Sequence, residues 1–184
     1  MGDGEPGVGW PAGYDPWTDS KLHPPIVLKV QNATSSSARR MVELAARIAS
    51  TSFIEDLRTS RGEDVATFTH ALDALASADP DELSSLRSQI MTWPELDVEA
   101  ESFGARDDSA ITLLHALTYA ISGDHREAAY CMQRCLNWAD FLDEGSGANY
   151  RYLSEALDAA ITATTHSDMD QQASILRSGL TGLA

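Results

Sequence analysis

The sequence predicts an all-α fold, a helical bundle or irregular helical array of about six to seven helices behind an irregular N-terminal arm. After residue 35, apolar residues recur mostly at three- and four-residue spacing, which is the period of an amphipathic helix. Aspartates, prolines and glycines mark helix ends between these stretches, and no convincing strand pattern intervenes. We therefore divide the 184 residues into an extended arm, 1–35, and a single helical domain, 36–184.

The arm is rich in glycine, proline and aromatic residues, and its five prolines prevent a long helix. Residues 26–30 are rich in β-branched side chains, so we expect an extended edge segment there. Trp10, Tyr14 and Trp17 are spaced like anchors that pack onto a surface. That surface is either the arm's own helical domain or another subunit or partner, and on another subunit of the same chain the arm would join a homo-oligomer.

Three amphipathic helices follow the arm. A serine among Ser35–Ser37 is expected to cap the first, whose apolar stripe runs from Met41 to Leu57. Apolar residues from Val65 to Leu75 predict the second. Asp79 is expected to cap the third, because the next residues are a proline and two acids, which suit a first helical turn. Trp93 and the proline after it end this helix.

The fourth helix contains the histidine with the best claim to catalysis. Asp108 or Ser109 is expected to cap the helix, and Ile121 belongs to its buried stripe. His115 lies about two turns after Asp107 and Asp108, so the pattern also suits a carboxylate and an imidazole lying close together. We favour the caps, because aspartate is among the best N-cap residues.

A fifth helix, capped by Asp124, contains the stretch AAYCMQRCLNWADFLDE at residues 128–144. Cys131 and Cys135 lie on its apolar side. A zinc site needs about four ligands, and His125 lies on a poorly matched face of the helix. Activation of a thiol needs a basic neighbour or a helix N-terminus, and Arg134 reads as a solvated or ion-paired surface residue. We interpret both cysteines as core residues and expect no metal and no cofactor.

The last two helices carry weaker signals. Gly145 and Gly147 predict a turn, and a sixth helix then runs from Tyr150 to Ile161. Ser167 or Asp168 is expected to cap a seventh, which is only weakly apolar and should pack at the edge of the domain.

Charge is divided unevenly along the chain. Residues 1–61 hold seven acids and seven bases, and residues 62–184 hold 21 acids and six bases, so the second segment accounts for the whole net charge of −15. Such a field attracts basic partners and repels nucleic acid. We expect the partner to dock on the densest acidic stretch. The proposed partner-binding residues are Asp79, Asp81, Glu82, Glu95, Asp97, Glu99 and Glu101.

Two classes of function remain open. The first is a non-enzymatic protein-binding module, of the kind that an immunity protein or antitoxin provides against a basic partner such as a nuclease toxin. The second is a small-molecule-binding regulator or an enzyme with a pocket between helices. The possible pocket residues are Trp93, Phe103, His115, Tyr119 and Trp138. A structural homo-oligomer is compatible with either class. The chain lacks P-loop, GxGxxG, GxSxG and HExxH motifs, so nothing in it demands an enzyme.

The chain shows neither a signal peptide nor an apolar run of about 18 to 20 residues, so we expect a cytoplasmic protein without membrane contact. One family resemblance is present. It rests on ALDALASADPDE, the acidic connector ending in ESFGAR, then DDSAITLLHALTYAISGD and HREAAYCM. This stretch, within residues 65–142, resembles the central part of the bacterial YjaG-like helical proteins of unknown function. The resemblance implies a helical fold, and because that family has no assigned activity it implies no functional residue.

Overall fold

The computed structural model describes residues 25–77, 79–96, 105–162 and 168–183. These residues form eight α-helices and one short 3-10 helix, without a strand among them, which confirms the predicted all-α class. The helices are α1 (Pro25–Gln31), α2 (Ser35–Ser60), α3 (Gly62–Ser77), α4 (Pro80–Ile90), α5 (Ala105–Ser122), α6 (His125–Leu142), α7 (Ala148–Thr162) and α8 (Met169–Arg177), and the 3-10 helix is Pro94–Leu96.

The core lies between α2, α5 and α6, which pack against one another. Helix α2 also packs against α3 and α8, while α4 packs against α3 and α5. The predicted apolar stripes supply the buried side chains, among them Leu44, Ile48 and Phe53 of α2 and Leu114 and Leu117 of α5. The short α3–α4 and α5–α6 connections make each of these pairs a helical hairpin.

Residues 26–30 form most of helix α1, so the expected extended segment is wrong. Ile26, Val27 and Val30 are buried, and α1 packs against α6 and α7. The spacing of these three side chains gives a helix one apolar side, and burying that side outweighs the modest preference of β-branched residues for strands. Pro25 suits the first helical position, where its missing N–H costs nothing. The anchors Trp10, Tyr14 and Trp17 lie outside the described residues.

Helix ends follow the predicted cap chemistry in most places. Asp79, Asp124 and Asp168 accept backbone N–H groups at the starts of α4, α6 and α8. Helix α2 differs, because Thr34 caps it instead of one of the serines that follow. Gly123 adopts a φ of +68° directly after α5, a conformation that glycine reaches without strain.

The predicted cap of the fourth helix is wrong. Helix α5 begins at Ala105, so Asp108 and Ser109 lie inside it and are buried. Asp108 instead accepts a hydrogen bond of 2.7 Å from Arg134 of α6, which is itself buried and does not lie at the surface. Ile121, expected in the core, is 36% exposed near the end of α5.

A buried asparagine holds the C-terminal segment against the bundle. Asn149 of α7 donates to the carbonyl oxygens of Ala139 and Thr181, and its own oxygen accepts the backbone N–H and the hydroxyl of Thr181. Because all of these groups are satisfied within the fold, the chain after α8 returns to the end of α6 in a defined position.

Candidate functional site

Cys131 and Cys135 are free thiols in the packed interior, as the core interpretation predicted. The Cys131 thiol lies 3.7 Å from the carbonyl oxygen of Val42. Burial raises the pKa of both thiols; the Cys135 thiol and Glu127 raise the pKa of Cys131 further, and Asp108 raises that of Cys135. Neither sulfur is therefore a nucleophile near neutral pH. Within the described ranges, no group of three or more histidine, cysteine or acidic side chains has the arrangement of a metal site.

His115 pairs with α6 and not with the acids that precede it on α5. Its Nδ1 atom lies 2.6 Å from Glu127 Oε2, and its ring lies 5.3 Å from that of Tyr130. The side chain is 2% exposed, and its Nε2 atom has no hydrogen-bond partner in the described part of the chain. His115 is therefore almost fully buried and joins α5 to α6 through Glu127.

The other proposed pocket residues are also interior side chains. Trp93 stacks on Phe68 with centroids 6.0 Å apart, and Tyr119 donates its hydroxyl to the Ser35 carbonyl oxygen. Trp138 is fully buried on α6. Phe103 lies outside the described residues. The four described members of the set serve packing, and none of them lines the groove found between α3 and α4.

Among the proposed partner-binding acids, Glu95 is tied to the fold. Both of its carboxylate oxygens lie 2.8 Å from Arg61 Nη2. The Nε atom of Arg61 lies 3.3 Å from Asp64, and its guanidinium carbon lies 5.3 Å from the centre of the Trp93 ring. Glu95 therefore fixes the turn after α4 and contributes little free charge to a docking surface.

The remaining described acids of the set gather at the start of α4. Asp79 caps the helix, Asp81 is exposed in its first turn, and Glu82 Oε1 lies 2.7 Å from His70 Nε2 of α3. Three further members, Asp97, Glu99 and Glu101, lie outside the described residues. The pairing of His70 with Glu82 joins α3 to α4 across a separation of 12 residues, which no local sequence pattern indicated.

An open groove of about 330 Å³ runs between α3 and α4. Five of the seven lining side chains are polar and carry hydroxyl, amide, carboxylate and imidazole groups, and the other two are small or apolar. The lining residues are Ala66, Thr67, His70, Glu82, Ser85, Leu86 and Gln89. No local sequence pattern indicates this groove, because it depends on how two helices pack.

Four acids of the α3–α4 hairpin form no ion pair with a lysine or an arginine within the described residues. We call Glu63, Asp79, Asp81 and Glu82 the acidic face; none of the four forms an ion pair there with a lysine or an arginine. Arg87 is the one lysine or arginine between residues 63 and 101. Its Nε atom lies 2.8 Å from the Thr118 hydroxyl, so Arg87 extends toward α5.

Comparison of the chain with protein-family models, with curated proteins and with solved structures finds no match. Over the described ranges, every helix is too short or too polar to cross a membrane. Function must therefore be inferred from the chemistry of the surface and the interior.

Proposed function

We propose that this chain is a cytoplasmic, non-enzymatic binding protein that docks and neutralises a basic protein, as immunity proteins and antitoxins do with nuclease toxins. The observation that carries the proposal is the acidic face, which places Glu63, Asp79, Asp81 and Glu82 on one helical hairpin without a lysine or arginine to compensate them in the described part of the chain. The proposed partner supplies the missing positive charge.

The distribution of charge supports the same partner class. The segment from residue 62 onward accounts for the full net charge of −15. A field of this sign speeds encounter with a positively charged protein and opposes contact with phosphate groups. A basic protein therefore suits this surface better than a nucleic acid does.

The interior chemistry favours binding over catalysis. The thiols of Cys131 and Cys135 are buried with raised pKa values, and His115 is engaged by Glu127 inside the bundle. Asp108 is likewise occupied by Arg134. These four side chains, which suit acid–base or nucleophilic work, are thus used in packing the helices.

Affinity capture from a lysate of the source organism at low salt tests the proposal. The intact protein should retain one basic protein at near-equal stoichiometry, released by a salt step and identified by mass spectrometry. The triple variant Glu63→Gln/Asp81→Asn/Glu82→Gln should retain much less, because it removes three charges from the acidic face while keeping the Asp79 cap. Glu95 is left unchanged because its replacement would disturb Arg61.

The matched control is Glu55→Gln/Glu144→Gln/Glu155→Gln, which removes the same charge from exposed positions on α2, α7 and the turn before α7. This variant should retain the partner nearly as well as the parent protein. Equal retention by both triple variants would contradict the proposed surface, and the recovery of no basic protein by the parent would contradict the proposed function.

The acids beyond α4 extend the same test. Adding Asp97→Asn, Glu99→Gln and Glu101→Gln to the acidic-face variant should slow association further, by about fivefold at low salt and by much less near 0.5 M salt. An association rate that these three changes leave unaltered would limit the docking surface to α3 and α4.

A further inference from the structure

We infer that the groove between α3 and α4 receives an arginine side chain of the basic partner. This inference rests on the proposed function and deepens it, because it assigns one recognition subsite within the acidic face. The occupant is a guanidinium group, because its charge, hydrogen-bonding capacity and size match the groove.

The polar side chains that line the groove offer hydrogen-bond acceptors. Glu82 supplies a carboxylate, and Thr67 and Ser85 supply hydroxyl oxygens. The amide Nε2 of Gln89 is already directed at Ser85 Oγ, 3.4 Å away, which leaves the Gln89 carbonyl oxygen as a further acceptor. A guanidinium carries five N–H donors in a fixed plane and needs several acceptors at once, whereas an ammonium group needs fewer.

The rest of the lining suits the stem of an arginine. Ala66 and Leu86 are the apolar residues of the lining, and Leu86 is only 4% exposed, so packing fixes its position. Arginine buries its methylene groups along such surfaces while its charged end meets polar groups. A volume of about 330 Å³ lies at the lower end of ligand pockets and leaves room for one arginine side chain.

Among the described residues that line the groove there is no arginine. Arg61 is held by Glu95, Arg134 by Asp108, and Arg47 by Glu43, Asp73 and Asp170. Each of these internal guanidinium groups lies against at least one carboxylate. The groove presents the same kind of carboxylate with no guanidinium among its lining residues, and the one titratable base there is His70.

His70 makes the subsite sensitive to added charge. Its Nε2 atom uses one oxygen of Glu82, which leaves the carboxylate to be shared with the incoming group. A permanent cation at position 70 would neutralise Glu82 from within the chain and compete with the partner. His70→Arg should therefore weaken binding without removing an acidic residue.

Amide NMR of the full-length chain, titrated with hexa-arginine peptide at low salt, tests this assignment. Saturable shifts should concentrate at Thr67, His70, Ser85 and Gln89. Glu82→Gln should weaken the peptide's affinity about fivefold, the upper range for one partly exposed ion pair, and His70→Arg should weaken it similarly. Glu155→Gln, which makes the same charge change on α7, should alter the affinity by less than about twofold.

The outcomes separate the subsite from the wider proposal. Saturable shifts on another surface, or equal effects of Glu82→Gln and Glu155→Gln, would overturn the arginine subsite while leaving an acidic binding protein in place. Failure of hexa-arginine to bind at low salt would overturn the arginine subsite, whereas the proposed function is contradicted only if the parent protein captures no basic protein. The folding control is the amide chemical shifts of residues outside the groove, which in each peptide-free variant should equal those of the parent protein.

Discussion

Replacing Arg134 with methionine should destabilise the fold by about 3 to 5 kcal/mol near neutral pH. Arg134 Nη1 lies 2.7 Å from Asp108 Oδ1, and the two side chains are 6% and 3% exposed. Methionine matches the length of the arginine stem but carries no charge, so the Asp108 carboxyl group stays buried after its cation is removed. At this depth the penalty comes from the uncompensated charge, which costs far more than the loss of a surface ion pair.

The loss of stability caused by Arg134→Met should be smaller in acid. Burial raises the pKa of Asp108 from 3.8 to about 6, although Arg134 acts in the opposite direction. Removing Arg134 therefore raises this pKa further. In the variant, the folded state therefore binds the Asp108 proton more tightly than the unfolded state does. The free energy of unfolding is highest below the pKa of the unfolded state, and it falls as the pH rises through the pKa of the folded state. The penalty should be largest at about pH 8 and small at about pH 4.

Urea unfolding followed by circular dichroism at both pH values measures the effect. The double variant Asp108→Leu/Arg134→Met removes both charges, so it should recover to within about 2 kcal/mol of the parent and lose the extra pH dependence. A loss below about 1 kcal/mol for Arg134→Met at about pH 8, or a double variant no more stable than the single one, would refute this account of the pair.

Three further changes test the packing of the fold by urea unfolding. Glu95→Gln should cost about 1 to 2 kcal/mol, because it weakens a charged hydrogen bond to Arg61, and an unchanged midpoint would contradict that role. Asn149→Ala should cost about 2 to 3 kcal/mol, since it leaves several buried polar groups unpaired; a smaller loss would mean that water replaces the side chain. Gly182→Ala should cost more than about 1 kcal/mol, because φ is +80° and a Cβ atom would lie 2.0 Å from the Leu142 carbonyl oxygen. Its control is Gly62→Ala, which should cost nothing because the space around Gly62 is open.

The sequence predicted those parts of the fold that depend on neighbouring residues. The Asp79 and Asp124 caps, the glycine end of α5 and the core position of the cysteines all follow from local chemistry or helical period. Helix α1 was missed because the local preference of β-branched residues is weaker than the gain from burying them against α6.

The candidate site was predictable only in part. The position of Asp79, Asp81 and Glu82 at the start of a helix follows from the sequence. The pairings of His70 with Glu82 and of Arg134 with Asp108 join residues 12 and 26 positions apart on different helices, so they depend on helix packing. The same holds for Glu95, whose internal bond to Arg61 spans 34 residues and removes it from the set of freely exposed acids.

The association rate of the captured basic partner, measured across a salt series, tests the central claim most directly. The association rate should fall by about tenfold or more between 0.05 and 0.5 M salt, because the acidic surface steers the encounter. The dissociation rate should change much less. The acidic-face variant should begin from a slower rate and show a weaker dependence on salt. An association rate that is independent of salt, and equal in the parent and that variant, would contradict the account.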